Sequence, residues 1–201
     1  MSVFYPYLNI ISMLFFGIYG SYTYIVSVLP AHYESKMGSV SYDYCSKKRK
    51  AARSLLSIST LNFLLYTIVP IDLPFMKLNI FDSFLTSTFV SLIFFLPGIL
   101  VFVLGRKALG KESESTKKFR KITNTGIYSK IRHPQLLGEI LFILFFAVFL
   151  NSAFLLAFSI VFWIPNYLIW MHYEEKDLVL RFGDDYISYM TTTKKIIPFI
   201  F

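Results

Sequence analysis

Cysteine is almost missing from this chain. Of 201 residues only Cys45 carries a thiol. A single thiol excludes an internal disulfide, and with no companion ligands it excludes a thiolate zinc site. Charge is scarce too: Asp, Glu, Lys and Arg make up 16% of the residues, hydrophobic ones 55%, and the mean hydropathy is +0.57. Such a balance excludes an ordinary soluble domain. Acids are the rarer sign, 12 against 20 Lys and Arg, for a formal net charge of +8. That excess does not imply nucleic acid. The bases sit almost wholly in two segments between apolar blocks, the usual place for topology determinants and anionic-lipid contacts. Internal repeats and low-complexity tracts are absent. The ending Pro198-Phe199-Ile200-Phe201 offers no prenylation signal.

What is present is apolar sequence in long blocks, each close to the ~20 helical residues needed to cross a ~30 Å hydrocarbon layer. The 22 Phe and 14 Tyr suit lipid-facing and interfacial positions. The pattern predicts an all-α integral membrane protein of about five transmembrane helices. The spans run from about Val3 to Val28, Ser54 to Val69, Phe81 to Val103, Pro134 to Leu150 and Ser152 to His172. The first block has no positive flank and is too long for a signal peptide, so it is expected to be a retained span. The fourth span covers only about 25 Å at the helical rise. With Asn151-Ser152 as the only link, spans four and five must form a tight antiparallel hairpin.

Two prolines interrupt spans. Pro97-Gly98 lies in the third and Pro165-Asn166 in the fifth, freeing the carbonyls of Ile93 and Val161. Each site is either a kink healed by neighbouring helices or a bend that opens a lipid-accessible pocket. Lys36, Lys47, Lys48, Arg49, Lys50 and Arg53 stand between spans one and two; Arg106, Lys107, Lys111, Lys117, Lys118, Arg120, Lys121, Lys130 and Arg132 stand between three and four. The positive-inside tendency puts both basic loops in the cytoplasm, with the N-terminus outside and the C-terminal tail inside. The 106–133 loop and the 173–201 tail then meet on one cytoplasmic face. The chain divides into an N-terminal three-helix part, 1–105, and a cofactor-binding part, 106–201.

Two stretches carry chemistry. In Gly126-Ile127-Tyr128 and Arg132-His133-Pro134 through Gly138-Glu139, Pro134 suits the first turn of a helix. The free amides of that turn can hold a carboxylate. Gly138 permits a ligand or another helix to approach the backbone. Glu139 is an ionisable residue inside an apolar block and hence a functional candidate. The plainer reading makes Arg132 and His133 interfacial anchors and lets Glu139 snorkel to water. The second stretch is His172-Tyr173-Glu174-Glu175-Lys176-Asp177, followed by Arg181-Phe182-Gly183 and the tyrosines Tyr186 and Tyr189. Glu174 and Glu175 are either a solvated helix end or the facing wall of the Arg132-His133 mouth.

In this order and spacing the two stretches, over residues 104–201, resemble the isoprenylcysteine carboxyl methyltransferase and phospholipid methyltransferase group of membrane enzymes. The resemblance implies S-adenosylmethionine as cofactor, contacted by Gly126, Tyr128, His133, Gly138, Glu174 and Glu175. It implies Arg132 at the pocket mouth, and a lipid-borne or hydrophobic acceptor such as a prenylcysteine carboxylate or a phospholipid amine. A carboxylate acceptor needs no base, whereas an amine or thiol would want one, with His133 and Glu139 as the candidate catalytic residues beside Arg132. No protein partner is implied. Two features depart from the pattern. Leu136 replaces the usual aromatic two residues after the proline, and Gly98 and Gly105 form no Gly-x-Gly. The run His-Pro-Gln-Leu-Leu-Gly-Glu and the ending Ile196–Phe201 also look like those of membrane sterol reductases. The alternative is therefore an NADPH-dependent reductase with Lys117, Lys118, Arg120 and Lys121 on the phosphates. A transporter would be expected to show a repeat, which this chain lacks.

Overall fold

The structure, a computed structural model, describes residues 4–68, 70–71, 73–110 and 121–196. Lys111, Lys117, Lys118 and Arg120 of the second basic loop and the ending after Ile196 lie outside the described residues. Among those described, the chain is an all-α membrane protein. Its helices are α1 (Tyr5–Ser27), α2 (Pro30–Met37), α3 (Val40–Leu65), α4 (Phe84–Leu109), α5 (Pro134–Phe149), α6 (Ala153–Phe158), α7 (Ile164–Phe182) and α8 (Asp184–Thr192). Three stretches are long and apolar enough to cross a membrane: α1, α4 and the continuous helix Ala153–Phe182. α5 is apolar but shorter, at 16 residues.

The second expected span is the apolar end of a longer helix. α3 starts at Val40, because Lys47-Lys48-Arg49-Lys50-Ala51-Ala52-Arg53 is a run of strong helix formers. α3 is not among the helices long and apolar enough to cross a membrane, and the hydropathy pattern detects only its apolar end. The fifth span likewise continues beyond His172 as α7, carrying Glu174, Glu175, Asp177 and Arg181 into its last turns.

The expected hairpin between α5 and α6 is there, and Asn151 forms its tip. Asn151 adopts φ 54°, and its side-chain oxygen accepts from the amides of Ile80 and Phe81 at 3.0 and 2.9 Å. Ser87 of α4 donates to the carbonyl of Val148 at the same end. Next to Pro165 the helix is not splayed. A π-helical turn, Ser159–Trp163, precedes the proline, and Asn166 donates to Phe162 O at 2.7 Å rather than to Val161. One wide turn and one side-chain amide absorb the missing backbone donor.

Two helix pairs make the body: α1 packs along α3, and α4 along α5. Both seams use small residues, as membrane helices do when backbones must approach. A Cβ at Gly138 would lie 2.8 Å from Phe102 Cβ and 3.0 Å from Gly98 O. Across α1 and α3, a Cβ at Gly20 would lie 2.9 Å from Leu56 Cδ2, and one at Gly17 would lie 3.1 Å from Ser59 Oγ. Trp163, Tyr167, Trp170 and Met171 of the last long helix fill the space behind both pairs. α2 is held down by Asp177 of α7, which accepts from the amides of Ala31 (2.8 Å) and His32 (3.2 Å) at the helix start and pairs with Arg181 at 3.1 Å.

Candidate active site

Gly126 opens the site. Its φ of +63° suits glycine, and it starts the short turn Gly126–Ser129 that buries Tyr128. The chain then meets the C-terminal tail. Ile131 and Lys194 form an isolated parallel bridge, with Arg132 N donating to Lys194 O at 2.8 Å and His133 N to Lys195 O at 3.2 Å. The guanidinium of Arg132 also donates to the carbonyls of Met190 and Thr193. Tyr189 of α8 donates its hydroxyl to Tyr128 O at 2.6 Å. Burial pushes the Tyr189 phenol up to about 12, so it stays a donor.

Glu175 is the hub of this junction. Its Oε1 lies 2.7 Å from Arg132 Nε and 3.1 Å from His133 Nε2, and its Oε2 lies 2.8 Å from Lys195 Nζ. The carboxylate is buried and both oxygens are engaged. Glu174, one residue earlier, has different surroundings. It lies 3.8 Å from His133 Nδ1 and lines the cavity beside the clamp, which Glu175 does not. His133 therefore sits between two carboxylates.

The cavity has a volume of about 790 Å³. Its polar end is walled by Tyr128, Arg132, His133, Glu174, Tyr186 and Tyr189, and it continues between the two helix pairs past Glu139 to Leu64, Phe142, Phe146 and Trp163. Ser57 and Leu61 of α3 line it and are exposed, so it opens sideways along α3. Of the two readings of Pro165-Asn166, the healed kink is the one the structure shows: neither residue lines the cavity, and Asn166 bonds back to Phe162 O. Leu136 stands on the wall where the resemblance expects an aromatic. The aromatic surface comes instead from Tyr24, Tyr167 and Trp170: Tyr24 stacks on Trp170 at 4.5 Å, and Tyr167 meets Trp170 edge-on at 4.7 Å.

Six of the eight residues singled out in the sequence thus converge: Tyr128, Arg132, His133, Glu139 and Glu174 on the wall, and Glu175 in the clamp behind it. Gly126 and Gly138 do not line the cavity. Gly126 shapes the turn that carries Tyr128, and at Gly138 the approaching group is helix α4. Glu139 is hydrogen-bonded to Tyr167 and feels the charges of Arg49 and Glu174.

Arg49 escaped the sequence reading. It sits in a basic run that looks like a topology signal, yet its guanidinium lies 4.4 Å from the centre of the Tyr24 ring, on the cavity wall. The one available signal was spacing. Arg49, Arg53, Ser57 and Leu61 recur every four residues and share one face of α3.

No curated protein matches the chain significantly. A family model does: phospholipid methyltransferase, over residues 86–185. That stretch runs from α4 through the arginine-histidine mouth and the glutamate pair to α8. The match gives no support to the reductase alternative. Over residues 86–185, which supply most of the cavity and both halves of the clamp, this chain belongs to the phospholipid methyltransferase family of membrane methyltransferases.

Proposed function

We propose that the protein transfers a methyl group from S-adenosylmethionine to a lipid-borne acceptor. The observation that carries this reading is one cavity with two unlike ends: a polar end with a partly exposed carboxylate, Glu174, among aromatic rings, and an apolar end open along α3. About 790 Å³ falls within the range of roughly 300–1,000 Å³ expected for cofactor and small-molecule sites. The donor set suits this cofactor. Glu174 accepts from amino or ribose hydroxyl groups, and Tyr128, Tyr186 and Trp170 offer faces for an adenine ring or a sulfonium. His133 Nδ1 stands 3.8 Å from the Glu174 carboxylate. Arg132 and Glu175 are positioning residues, because they keep the tail against the mouth without standing free for a ligand.

When bound, the cofactor supplies a methyl group already activated by its sulfonium. The protein's share is then alignment and exclusion of water, which the aromatic side chains of the wall favour. A carboxylate acceptor needs no base. For an amine acceptor, His133 and Glu139, the latter hydrogen-bonded to Tyr167, are the groups in the cavity able to take up a proton. The acceptor's chain reaches them between α3 and α5. Residues 1–105 and 106–201 both contribute to the site, the former through Tyr24, Arg49 and Arg53. The clamp, α2 and the basic half of α3 face the cytoplasm, with the N-terminus outside, in keeping with the basic-loop asymmetry.

Binding of S-adenosylhomocysteine to the purified full chain tests the cofactor. Glu174→Ala is expected to weaken it by roughly 10- to 100-fold, the loss of a charged hydrogen bond. Absence of binding by the parent protein would overturn the reading. Incubation of native membranes with radiolabelled methyl donor tests the acceptor. Label in the organic phase supports a lipid, release as methanol by base marks a carboxyl ester, and label confined to water-soluble product refutes the lipid acceptor.

A further inference from the structure

Two carboxylates share the cavity wall, Glu139 on α5 and Glu174 on α7, and the charge of Glu174 bears on Glu139. Enclosed like charges are costly unless a cation stands with them. Most cations on the wall are placed for other work. Arg132 is taken by Glu175, and Arg53, Arg106 and Lys121 are exposed. Arg49 is different, because the charges of both Glu139 and Glu174 act on it. Its Nε is inaccessible. Its guanidinium lies 4.4 Å from the centre of the Tyr24 ring and hydrogen-bonds the Tyr24 hydroxyl. Tyr24 in turn stacks on Trp170 at 4.5 Å. Arg49 of α3, Tyr24 of α1 and Trp170 of α7 thus form one column, which fixes the cation on the wall where α5 and α7 place their acids. Arg49 and Tyr24 both lie before residue 86, where the family match begins.

We infer that Arg49 is a further positioning residue of the site: it balances Glu139 and Glu174, holds both carboxylates at the cavity, and so limits how strongly the cavity favours a cation. The charge balance stands on the geometry alone, and its effect on the cofactor rests on the reading proposed above. A guanidinium stays charged at any working pH, so this cation is permanent. With both acids ionised, two carboxylates against one guanidinium leave a single negative charge; without Arg49 they leave two. S-adenosylmethionine carries a sulfonium charge that S-adenosylhomocysteine lacks. A wall with two uncompensated acids would therefore grip the methyl donor more tightly relative to the demethylated product. A basic residue that served only topology or lipid phosphate would do neither.

A double-variant cycle on the full chain in detergent reads the balance. Arg49→Gln should lower the melting temperature by several degrees, and Arg49→Lys, which keeps the charge, should recover most of the loss. Made on Glu139→Gln, Arg49→Gln should cost about half as much or less, because one of its two acids is gone. An equal loss in both backgrounds is what a lipid contact or plain packing would give, and it would overturn the role. So would an Arg49→Lys variant no better than Arg49→Gln. If Arg49→Gln does not fold alone, folding of the double variant is the expected result, and failure of both would overturn the role. The cofactor side is read by titrating S-adenosylmethionine and S-adenosylhomocysteine at pH 8. The ratio of donor to product affinity should rise by roughly threefold or more in Arg49→Gln and stay within about twofold in Arg49→Lys. The same comparison holds on the Glu139→Gln background. An unchanged ratio in Arg49→Gln would overturn the effect on the cofactor. A parent protein that binds neither ligand would sink the proposed cofactor, while the melting-temperature cycle would still decide the charge balance.

Discussion

Arg132 and Glu175, 43 positions apart in sequence, are joined at 2.7 Å in a buried pair, with side-chain exposures of 9% and 6%. The pair links the mouth of α5 to the last long helix. Through Met190, Thr193 and Lys195 the same junction fastens the tail that carries Tyr186 and Tyr189 onto the cavity. The two adjacent glutamates therefore have unlike duties. Glu175 holds the walls together, and Glu174 faces the space between them.

That division is testable by comparing Glu175→Ala with Glu174→Ala. Removing Glu175 leaves Arg132, His133 and Lys195 without their shared carboxylate, and breaking a buried ion pair costs roughly 3–5 kcal/mol. The expected result is a large fall in thermal stability and faster proteolysis after α8. Glu174→Ala should leave the melting temperature nearly unchanged and weaken S-adenosylhomocysteine instead. Equal thermal shifts for the two would contradict the division.

Gly138→Ala should destabilise the protein by about 1–3 kcal/mol, the usual cost of overpacking. The added Cβ would sit 2.8 Å from Phe102 Cβ, and the backbone of α4 has little room to retreat. Chemical denaturation in detergent gives the number. Phe102→Ala in the same chain should recover part of the loss, and a neutral Gly138→Ala would show that α4 and α5 pack less closely than described.

Cys45 should be inert in the folded protein. It is fully buried, its thiol donates to Val26 O at 3.3 Å, and burial pushes its pKa up to about 11. A thiol raised this far is protonated through the neutral range, so at pH 8 roughly one in a thousand is thiolate. Maleimide labelling should be slow at pH 8, rise with pH towards 11, and become fast on unfolding in dodecyl sulfate. Rapid labelling of the native protein would refute the burial.

Glu139→Gln separates the two acceptor chemistries. It keeps the shape of the Tyr167 contact but removes the carboxylate that would take up a proton. With an amine acceptor, kcat should drop by roughly 100-fold or more while S-adenosylhomocysteine affinity holds. With a carboxylate acceptor, kcat should change little.

Topology is open to labelling of single cysteines placed at Lys77 and Lys130 in a Cys45→Ser background. Position 77 should react from outside intact cells and position 130 only after permeabilisation. The reverse pattern would invert the proposed orientation and leave the site intact.

Much of this architecture was legible in the chain. The long apolar blocks dictated membrane helices, because lipid leaves backbone groups no partner but their own helix. Pro134 marked the start of α5, and Asn151-Ser152 marked its hairpin. The order of Arg132-His133, Gly138-Glu139 and Glu174-Glu175 marked the two faces of the site. What tertiary structure alone decided is which side each group faces. Hydropathy cannot separate a basic residue that meets lipid headgroups from one that turns inward, so Arg49 read as a topology signal until α1 supplied Tyr24 beneath it. Nor does adjacency in sequence tell Glu174 from Glu175. Successive helical residues point about 100° apart, and only the docked tail, with Lys195 and Arg132, determines which carboxylate is enclosed and which faces the cavity.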